Sequence, residues 1–343
     1  METNGPIRVL MITCAWPVPG GPRTTHFVKR QADFLLAAGV DVDVLHFKGR
    51  RAPLNYVRAW REARRRLAAR RYDLIHAQFG QSGFAALGAR LPTVVTLRGS
   101  DILGVVGPGG RRLRAGRLLQ ALTRFVCRRA RRVVIVSDHM RAYLPRGVGA
   151  TVLPSGLDFE HFAPMPRDEA RRRLGLDPAR TYVLFAGDPN GPRKRFHIAD
   201  AAVRLAAEWL PAEMLVAWGV PHEDMPLYMN AADAMVFTSM QEGSPNVVKE
   251  ALACDLPVVS VPVGDVAERL GGIEGCEVTA DDRPETVAAA LVRVLRRGGR
   301  VAARETVLHL DERACTQRLI GIYRDAIGEP DPARAGAREV AHA

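Results

Sequence analysis

Two carboxylates and a glycine-containing turn stand close together in Thr238–Gly264, TSMQEGSPNVVKEALACDLPVVSVPVG. The run reads as a buried strand ending at Thr238-Ser239, a turn, and a helix with Ser244 as N-cap and Pro245 as first residue. Such a helix starts with free amides at Asn246, Val247 and Val248. The positive end of its dipole faces the strand end, which makes an anion site. Glu250 lies about 7 Å up the helix from Pro245. Helical side chains lean back toward the N-terminus, so its carboxylate approaches whatever the amides hold and suits paired hydroxyls such as those of a ribose. Glu242, ahead of the turn, offers a second carboxylate at the mouth. The competing reading is a capped surface helix whose glutamates are merely solvated.

These residues need a strand, a turn and a helix to position them, and the chain supplies that unit repeatedly. Expected strands in the first half are Ile7–Thr13, Val42–Phe47, Asp73–Ala77, Pro92–Leu97, Val133–Val136 and Thr151–Leu153. Expected helices are Thr24–Ala38, Asn55–Arg71 and Gly110–Arg129. Phe162–Arg180 is proline-punctuated and breaks the rhythm, which then restarts. Strands follow at Tyr182–Ala186, Met214–Trp218, Ala234–Thr238 and Pro257–Val261. Helices follow at Ile198–Trp209, Met225–Asn230, Asn246–Ala253 and Pro284–Arg296. Short apolar runs alternating with helices signal parallel α/β units. The expected class is therefore α/β, with two Rossmann-like domains facing a cleft, the default place for a ligand. The expected division is 1–162, 163–310, a helix over 311–327 crossing back to the first domain, and a disordered tail over 328–343.

The chain has 343 residues, enough for two cored domains, and its composition is that of a soluble globular protein. No apolar run reaches the length of a membrane span, and no signal-peptide pattern opens the chain. Five scattered cysteines without a CxxC read as a reduced, cytoplasmic protein with no zinc site. Charge is unevenly distributed. Residues 1–165 hold 27 Lys/Arg against 10 Asp/Glu, and residues 166–343 hold 22 against 27. The basic half either meets an anionic partner or simply carries solvated arginines. Nucleic acid is disfavoured as that partner, because only 6% of residues are aromatic and most fall on apolar faces, leaving no stacking platform.

Glu242 and Glu250 also form the E-x7-E spacing of retaining glycosyltransferases of family 4, which have the GT-B fold. EGSPNVVKEALACDLPVVSVPVGDV resembles the bacterial surface-polysaccharide branch of that family, including teichuronic-acid-type transferases. PVPGGPRTTHFVKRQADFLLAAGVDVDVL, YDLIHAQFG, TLRGSD, ARRVVIVSDHMRAYL, VLPSGLDFEHFAP and VPHEDMPLYMNAADAMVFTS resemble the family's other motifs in order. The resemblance implies a nucleotide-sugar donor on the C-terminal domain and a sugar or lipid-linked acceptor on the N-terminal domain, with no metal and no other cofactor. By the same resemblance Glu250 binds the ribose hydroxyls and Glu242 touches the donor sugar. The backbone of Gly243, Ser244, Pro245, Asn246 and Val247 holds phosphate and sugar oxygens. Gly20 and Gly21 approach the donor phosphate. Lys194, in GPRKRF, matches the lysine that neutralises the diphosphate leaving group, where negative charge develops.

The chain departs from the pattern at four places, one being a strand–helix step trimmed between Trp209 and Ala231, a region that often helps read the base. Asp188 stands where the family's arginine lies, so either Arg193 or Arg195 substitutes for it or the site is weakened. Arg98 replaces a histidine in TLRGSD and is suited, as a permanently charged fork, to a phosphate or sugar oxygen. His76 is retained, but Gln78 replaces a second histidine, and a strand-end His76 fits a satisfied core position as well as a ligand role. Asp41-Val42-Asp43 has the DxD form of a metal motif but starts a strand expected to be buried, and reads as fortuitous. The expected function is retaining transfer of a sugar to an acceptor, the latter a lipid-linked or surface-polysaccharide precursor. The basic helices would then meet an anionic inner-membrane surface. The alternatives are a sugar-nucleotide epimerase or hydrolase on the same fold, or a basic nucleic-acid-binding protein.

Overall fold

Short β-branched runs separated by helices form parallel strands, because each crossover helix returns the chain to the same end of the sheet. The computed structural model describes residues 5–17, 26–49 and 52–329. Two units result. The first contains the described residues up to Val105, then Arg114–Gly156, and the chain from Glu312. The second contains Val106–Leu113 and Leu157–Asp311.

In the first unit, β1 (Arg8–Thr13), α1 (His26–Ala37), β2 (Asp41–His46), α2 (Pro53–Ala69), β3 (Leu74–Gln78) and β4 (Thr93–Leu97) come first. They are followed by α3 (Ser100–Leu103), α4 (Arg114–Arg129), β5 (Arg132–Ile135) and β6 (Thr151–Val152). The sheet order is β2-β1-β3-β4-β5-β6, all parallel. Both faces are covered. Val9 and Met11 pack with Val28 and Leu35, while Leu10 and Ile12 pack with Ala59, Ala63 and Ile75. The helix α12 (Glu312–Ile327) seals the first of these cores with Leu319, Ile320 and Tyr323. β2 is a half-buried edge strand rather than a buried one. Asp41 pairs with Arg70, and Asp43 pairs with Arg66, so the DxD carboxylates are spent on ion pairs.

Helix α4 starts at Arg114, not Gly110, and it does not bury its large apolar residues. Its buried positions are Gly116, Thr123, Val126 and Cys127. The helical spacing of Leu118, Leu122 and Phe125 is that of a face packed on the sheet, yet they are 63, 36 and 39% exposed. The reason is steric. A Cβ on Gly80 would stand 2.3 Å from Thr123, one on Gly83 2.3 Å from Val126, and one on Gly116 2.6 Å from the Val105 backbone. A seat that close admits only small residues.

The second unit holds α5 (Arg167–Leu174), β7 (Thr181–Ala186), α6 (Phe196–Ala207), β8 (Ala212–Ala217), α7 (Met225–Ala231) and β9 (Ala234–Phe237). It continues with α8 (Asn246–Ala253), β10 (Val258–Ser260), α9 (Val266–Leu270), β11 (Glu277–Val278), α10 (Pro284–Arg297) and α11 (Arg304–Val307). The chain then enters α12 (Glu312–Ile327). The order β11-β10-β9-β7-β8 is again parallel. Phe162–Arg180, expected to break the chain between domains, lies within this unit. Its Arg171 is buried and held by Asp233 at 2.7 Å and by the carbonyls of Ala231 and Pro178. The strand order reverses between β7 and β9, and crevices at such a reversal are where open α/β sheets bind ligands.

Candidate active site

The loops that follow β7 and β9 bring Lys194 and Glu242 together at this switch point. Lys194 Nζ lies 2.8 Å from Glu242 Oε1, and Arg193 pairs with the same oxygen. Lys194 runs across the bare face of Gly187, where a Cβ would touch its stem at 3.4–3.5 Å, and its ammonium lies 5.0 Å over the Phe237 ring. Backbone ties hold the two loops in register. Met240 N–H donates to the Arg193 carbonyl at 2.9 Å, and the Thr238 hydroxyl donates to the Lys194 carbonyl at 2.9 Å. Arg195 turns away in a left-handed conformation, donates to the Thr238 carbonyl, and pairs with Asp282. Of the two candidate replacements for the missing arginine, the structure therefore brings Arg193 to Glu242 and commits Arg195 to loop support.

Burial alone would raise the Glu242 carboxyl. The Lys194 and Arg193 charges outweigh it and hold the group down at about 2. Burial lowers the Lys194 ammonium despite the opposing pull of Glu242. Two cations thus converge on one carboxylate, with the Glu250 charge also felt by Lys194, and both are groups that an incoming polyanion can take over.

Helix α8 begins at Asn246, as expected, but its cap differs from the expectation. Pro245 is the N-cap, without a side-chain bond, and Ser244 does not cap at all. The Ser244 hydroxyl instead donates to Asp265 Oδ2 at 2.8 Å, and Arg269 Nε donates to the same oxygen at 3.1 Å. Next to Asp265, Gly264 has φ +59°, and a Cβ there would come within 3.1 Å of the Glu242 and Gly243 carbonyls. The turn after β10 thus underlies the turn after β9. Gly264 and Asp265 escape the sequence reading. Their signal was a Gly-Asp pair closing the strand next to β9. Gly243, Pro245 and Glu250 are buried, while Asn246 and Val247 are half-buried at the helix head. Asn246 Oδ1 and Asp265 Oδ1 are buried acceptors with no hydrogen-bond partner among the described residues. Buried oxygens left in this way call for a donor such as a hydroxyl.

Arg98 lies in the first unit, after β4. Its Nη2 and Nε donate to Gln78 Oε1 at 2.7 and 3.2 Å, Nη1 donates to Ser155 Oγ at 2.5 Å, and Nη2 reaches Gln31 Oε1 at 3.1 Å. The guanidinium lies 4.9 Å over Phe27. Burial pushes Arg98 down to about 10, against the pull of Glu312 and Asp101. Its direct partners are neutral, so its charge is not cancelled by contact. Asp101 sets the backbone there, accepting the amides of Gly80, Arg98 and Gly99. His76 is fully buried, with Nδ1 2.6 Å from the Tyr323 hydroxyl and Nε2 2.8 Å from Thr96 Oγ1. It is a satisfied core histidine. Gly20 and Gly21 lie outside the described residues.

Comparison with known proteins agrees with these observations. Residues 7–156 match a glycosyl transferase 4-like domain, and residues 174–297 match the glycosyl transferases group 1 model. TuaC of Bacillus subtilis, named for teichuronic acid biosynthesis, is 28% identical over 58% of this chain and 55% of its own length. The lipopolysaccharide core biosynthesis mannosyltransferase LpsB of Rhizobium meliloti is 29% identical over 49% of this chain and 56% of its own. The chain thus spans about half the length of these curated relatives. Among solved structures, sucrose-phosphate synthase from Thermosynechococcus elongatus superposes with a TM-score of 0.75 at 20% identity, covering 94% of this chain and 99% of that one. Anabaena HepE, solved with UDP and glucose, gives 0.67 at 17% identity over 93% of this chain and 100% of that one. Two parallel-sheet units, matched by both family models in chain order, place this protein among the group 1 glycosyltransferases of the GT-B fold.

Proposed function

We propose that this chain transfers a sugar from a nucleotide-sugar donor to an acceptor with retention of configuration at the anomeric carbon. The observation that carries the reading is the convergence of Lys194 and Arg193 on Glu242 at the head of α8. In this reading the donor diphosphate takes over both cations, and Glu242, released from them, turns to the donor sugar. The amides of Gly243, Ser244, Asn246 and Val247 and the helix dipole share the phosphate charge. Glu250 accepts from the ribose hydroxyls, and the lone Oδ1 of Asn246 is a further acceptor at the helix head. Gly20 and Gly21 approach the phosphate, a role that rests on the family resemblance. Arg98 holds a phosphate or sugar oxygen through the guanidinium edge that its neutral partners leave charged.

Chemically, the bond from the anomeric carbon to the phosphate oxygen breaks, and a bond from that carbon to the acceptor oxygen forms on the same face. The acceptor proton passes to the departing phosphate oxygen. Lys194 and Arg193 stabilise the charge that grows there, so no metal ion is assigned to the step. HepE was solved with UDP and glucose, which makes a UDP-sugar the first donor to test. The names of TuaC and LpsB support a lipid-linked or surface-polysaccharide precursor as acceptor, met at the inner face of the cytoplasmic membrane. No described helix is long and apolar enough to cross a membrane, so attachment in this reading is peripheral.

The test is a thermal-shift screen against UDP-, GDP- and ADP-sugars, because a ligand that binds only the folded state must raise its stability. One class should shift the midpoint, and turnover with that class should give a product of unchanged anomeric configuration by NMR. No shift with any class, or an inverted product, overturns the reading.

A further inference from the structure

Helix α4 is built the reverse of an ordinary surface helix. It buries small residues, Gly116, Thr123, Val126 and Cys127, and turns Leu118, Leu122 and Phe125 outward. Those three stand at i, i+4 and i+7, so they form one stripe. Arg114, Arg117, Arg128 and Arg129 are exposed on the same helix, and Arg129 lies 4.6 Å over the Phe125 ring. None of these four arginines has an ion-pair partner among the described residues. Residues 102–137 contain no Asp or Glu at all.

The second basic helix of this unit provides a contrast. In α2, Arg65 and Arg66 share Glu62, Arg66 also reaches Asp43, and Arg64 donates to the Leu87 carbonyl. Its outward Trp60 is tied by Nε1 to the Leu87 carbonyl at 3.1 Å. Two of the five arginines of α2, Arg65 and Arg66, are thus ion-paired within the fold, while Arg58 and Arg61 stay exposed; in α4 no arginine has an ion-pair partner among the described residues. An apolar stripe edged by uncancelled arginines is the pattern of a helix lying in the plane of a bilayer interface.

We infer that α4 docks this protein on anionic lipid, with Leu118, Leu122 and Phe125 inserted below the headgroups and the arginines among the phosphates. This names the partner surface in the reading above and rests on it only for the lipid-linked acceptor. A second copy of the chain is the poorer occupant. Two α4 stripes face to face would bring eight arginines together with no carboxylate from either helix.

The test is vesicle co-sedimentation of the full chain, with phosphatidylcholine alone and with about 30% phosphatidylglycerol, at low and high salt. Wild-type protein should pellet at least 10-fold more with anionic vesicles. Arg114→Glu with Arg117→Glu should abolish that binding. Leu118→Gln with Phe125→Gln should weaken it several-fold and leave the remainder fully salt-sensitive. Arg58→Glu with Arg61→Glu on α2 should retain most of it. All these side chains are exposed, and circular dichroism checks folding. Phe125→Trp gives a second readout, a blue-shifted emission on anionic vesicles. Equal pelleting with neutral vesicles overturns the inference, as does unchanged binding of either α4 variant. A dimer in sedimentation equilibrium that Leu118→Gln disperses assigns the stripe to a second copy instead. Donor thermal shifts are read without vesicles, so failure here leaves the transferase reading separately testable.

Discussion

Ser244 donates its hydroxyl to Asp265 at 2.8 Å, across from one turn to the next, and leaves the adjacent helix uncapped by its side chain. Asp265 is therefore a positioning residue for the turn that carries Glu242 and the α8 amides. Ser244→Ala and Asp265→Ala should each raise the donor KM about 10-fold, and the double variant should be little worse, because contacting residues are not additive. Asp265→Asn, which keeps an acceptor, should restore most of the affinity. Fully additive losses in a double-mutant cycle would refute the coupling.

Lys194→Ala should lower turnover more than donor affinity, because leaving-group charge is greatest in the transition state. A fall in kcat on the order of 100-fold or more fits the loss of one preorganised charge. Steady-state kinetics at saturating donor checks it. Unchanged turnover would mean that Arg193 alone carries the phosphate charge.

Glu250→Gln should reduce donor affinity by about 10-fold, equivalent to about 1.4 kcal/mol, because a hydrogen bond to a charged acceptor contributes more than one to a neutral acceptor. The melting temperature should change by only a few degrees. Calorimetric titration with the nucleoside diphosphate provides the measurement, and near wild-type affinity would contradict the ribose role.

Burial, aided by the Arg98 charge, lowers His76 to about 3 from an ordinary value of 6.5. Between those values the unfolded chain binds a proton that the folded chain refuses. Stability is thus fully present above pH 6.5 and is lost as pH falls toward 3, by up to about 1.4 kcal/mol per pH unit from this one group. His76→Gln should be less stable at pH 7, having lost fitted bonds to Tyr323 and Thr96, yet its stability should fall less steeply between pH 6 and 4. Urea titrations at several pH values would show parallel slopes if the histidine were not buried neutral.

Transfer should persist in EDTA, because Lys194, Arg193 and the α8 amides are assigned the diphosphate charge. Complete loss of activity that magnesium restores would require a metal in the step.

Much of the second unit was legible because its signals are local. Helix α8 runs over Asn246–Ala253, where the Pro-punctuated turn and apolar spacing put it, and Glu242 and Glu250 flank its start accordingly. What escaped depends on contacts distant in sequence. Ser244 has the chemistry of a cap, but Asp265 competes for its hydroxyl from the neighbouring strand. The leucines of α4 have the periodicity of a core face, but glycines 80 and 83 bring another segment too close to admit them. His76 is ambiguous until Tyr323, 247 residues further on, is seen to occupy its Nδ1. Arg193 and Arg195 are equivalent on paper, and the left-handed backbone at Arg195 separates them.

The place of α12 in the first unit has a consequence for biosynthesis. Leu319, Ile320, Tyr323 and Ala326 complete a core whose other walls, among them Val9, Met11, Val28, Leu74, Val134 and Leu153, all come from the first half of the chain. A ribosome delivers them in that order, with the whole of Leu157–Asp311 in between. The second unit can close on itself while translation is still under way, at about 5–20 residues per second. The first must wait, its sheet partly uncovered for that interval, until the final helix emerges. The unit begun first is the one finished last, and its exposed apolar sheet face is the natural client surface for a chaperone during that delay.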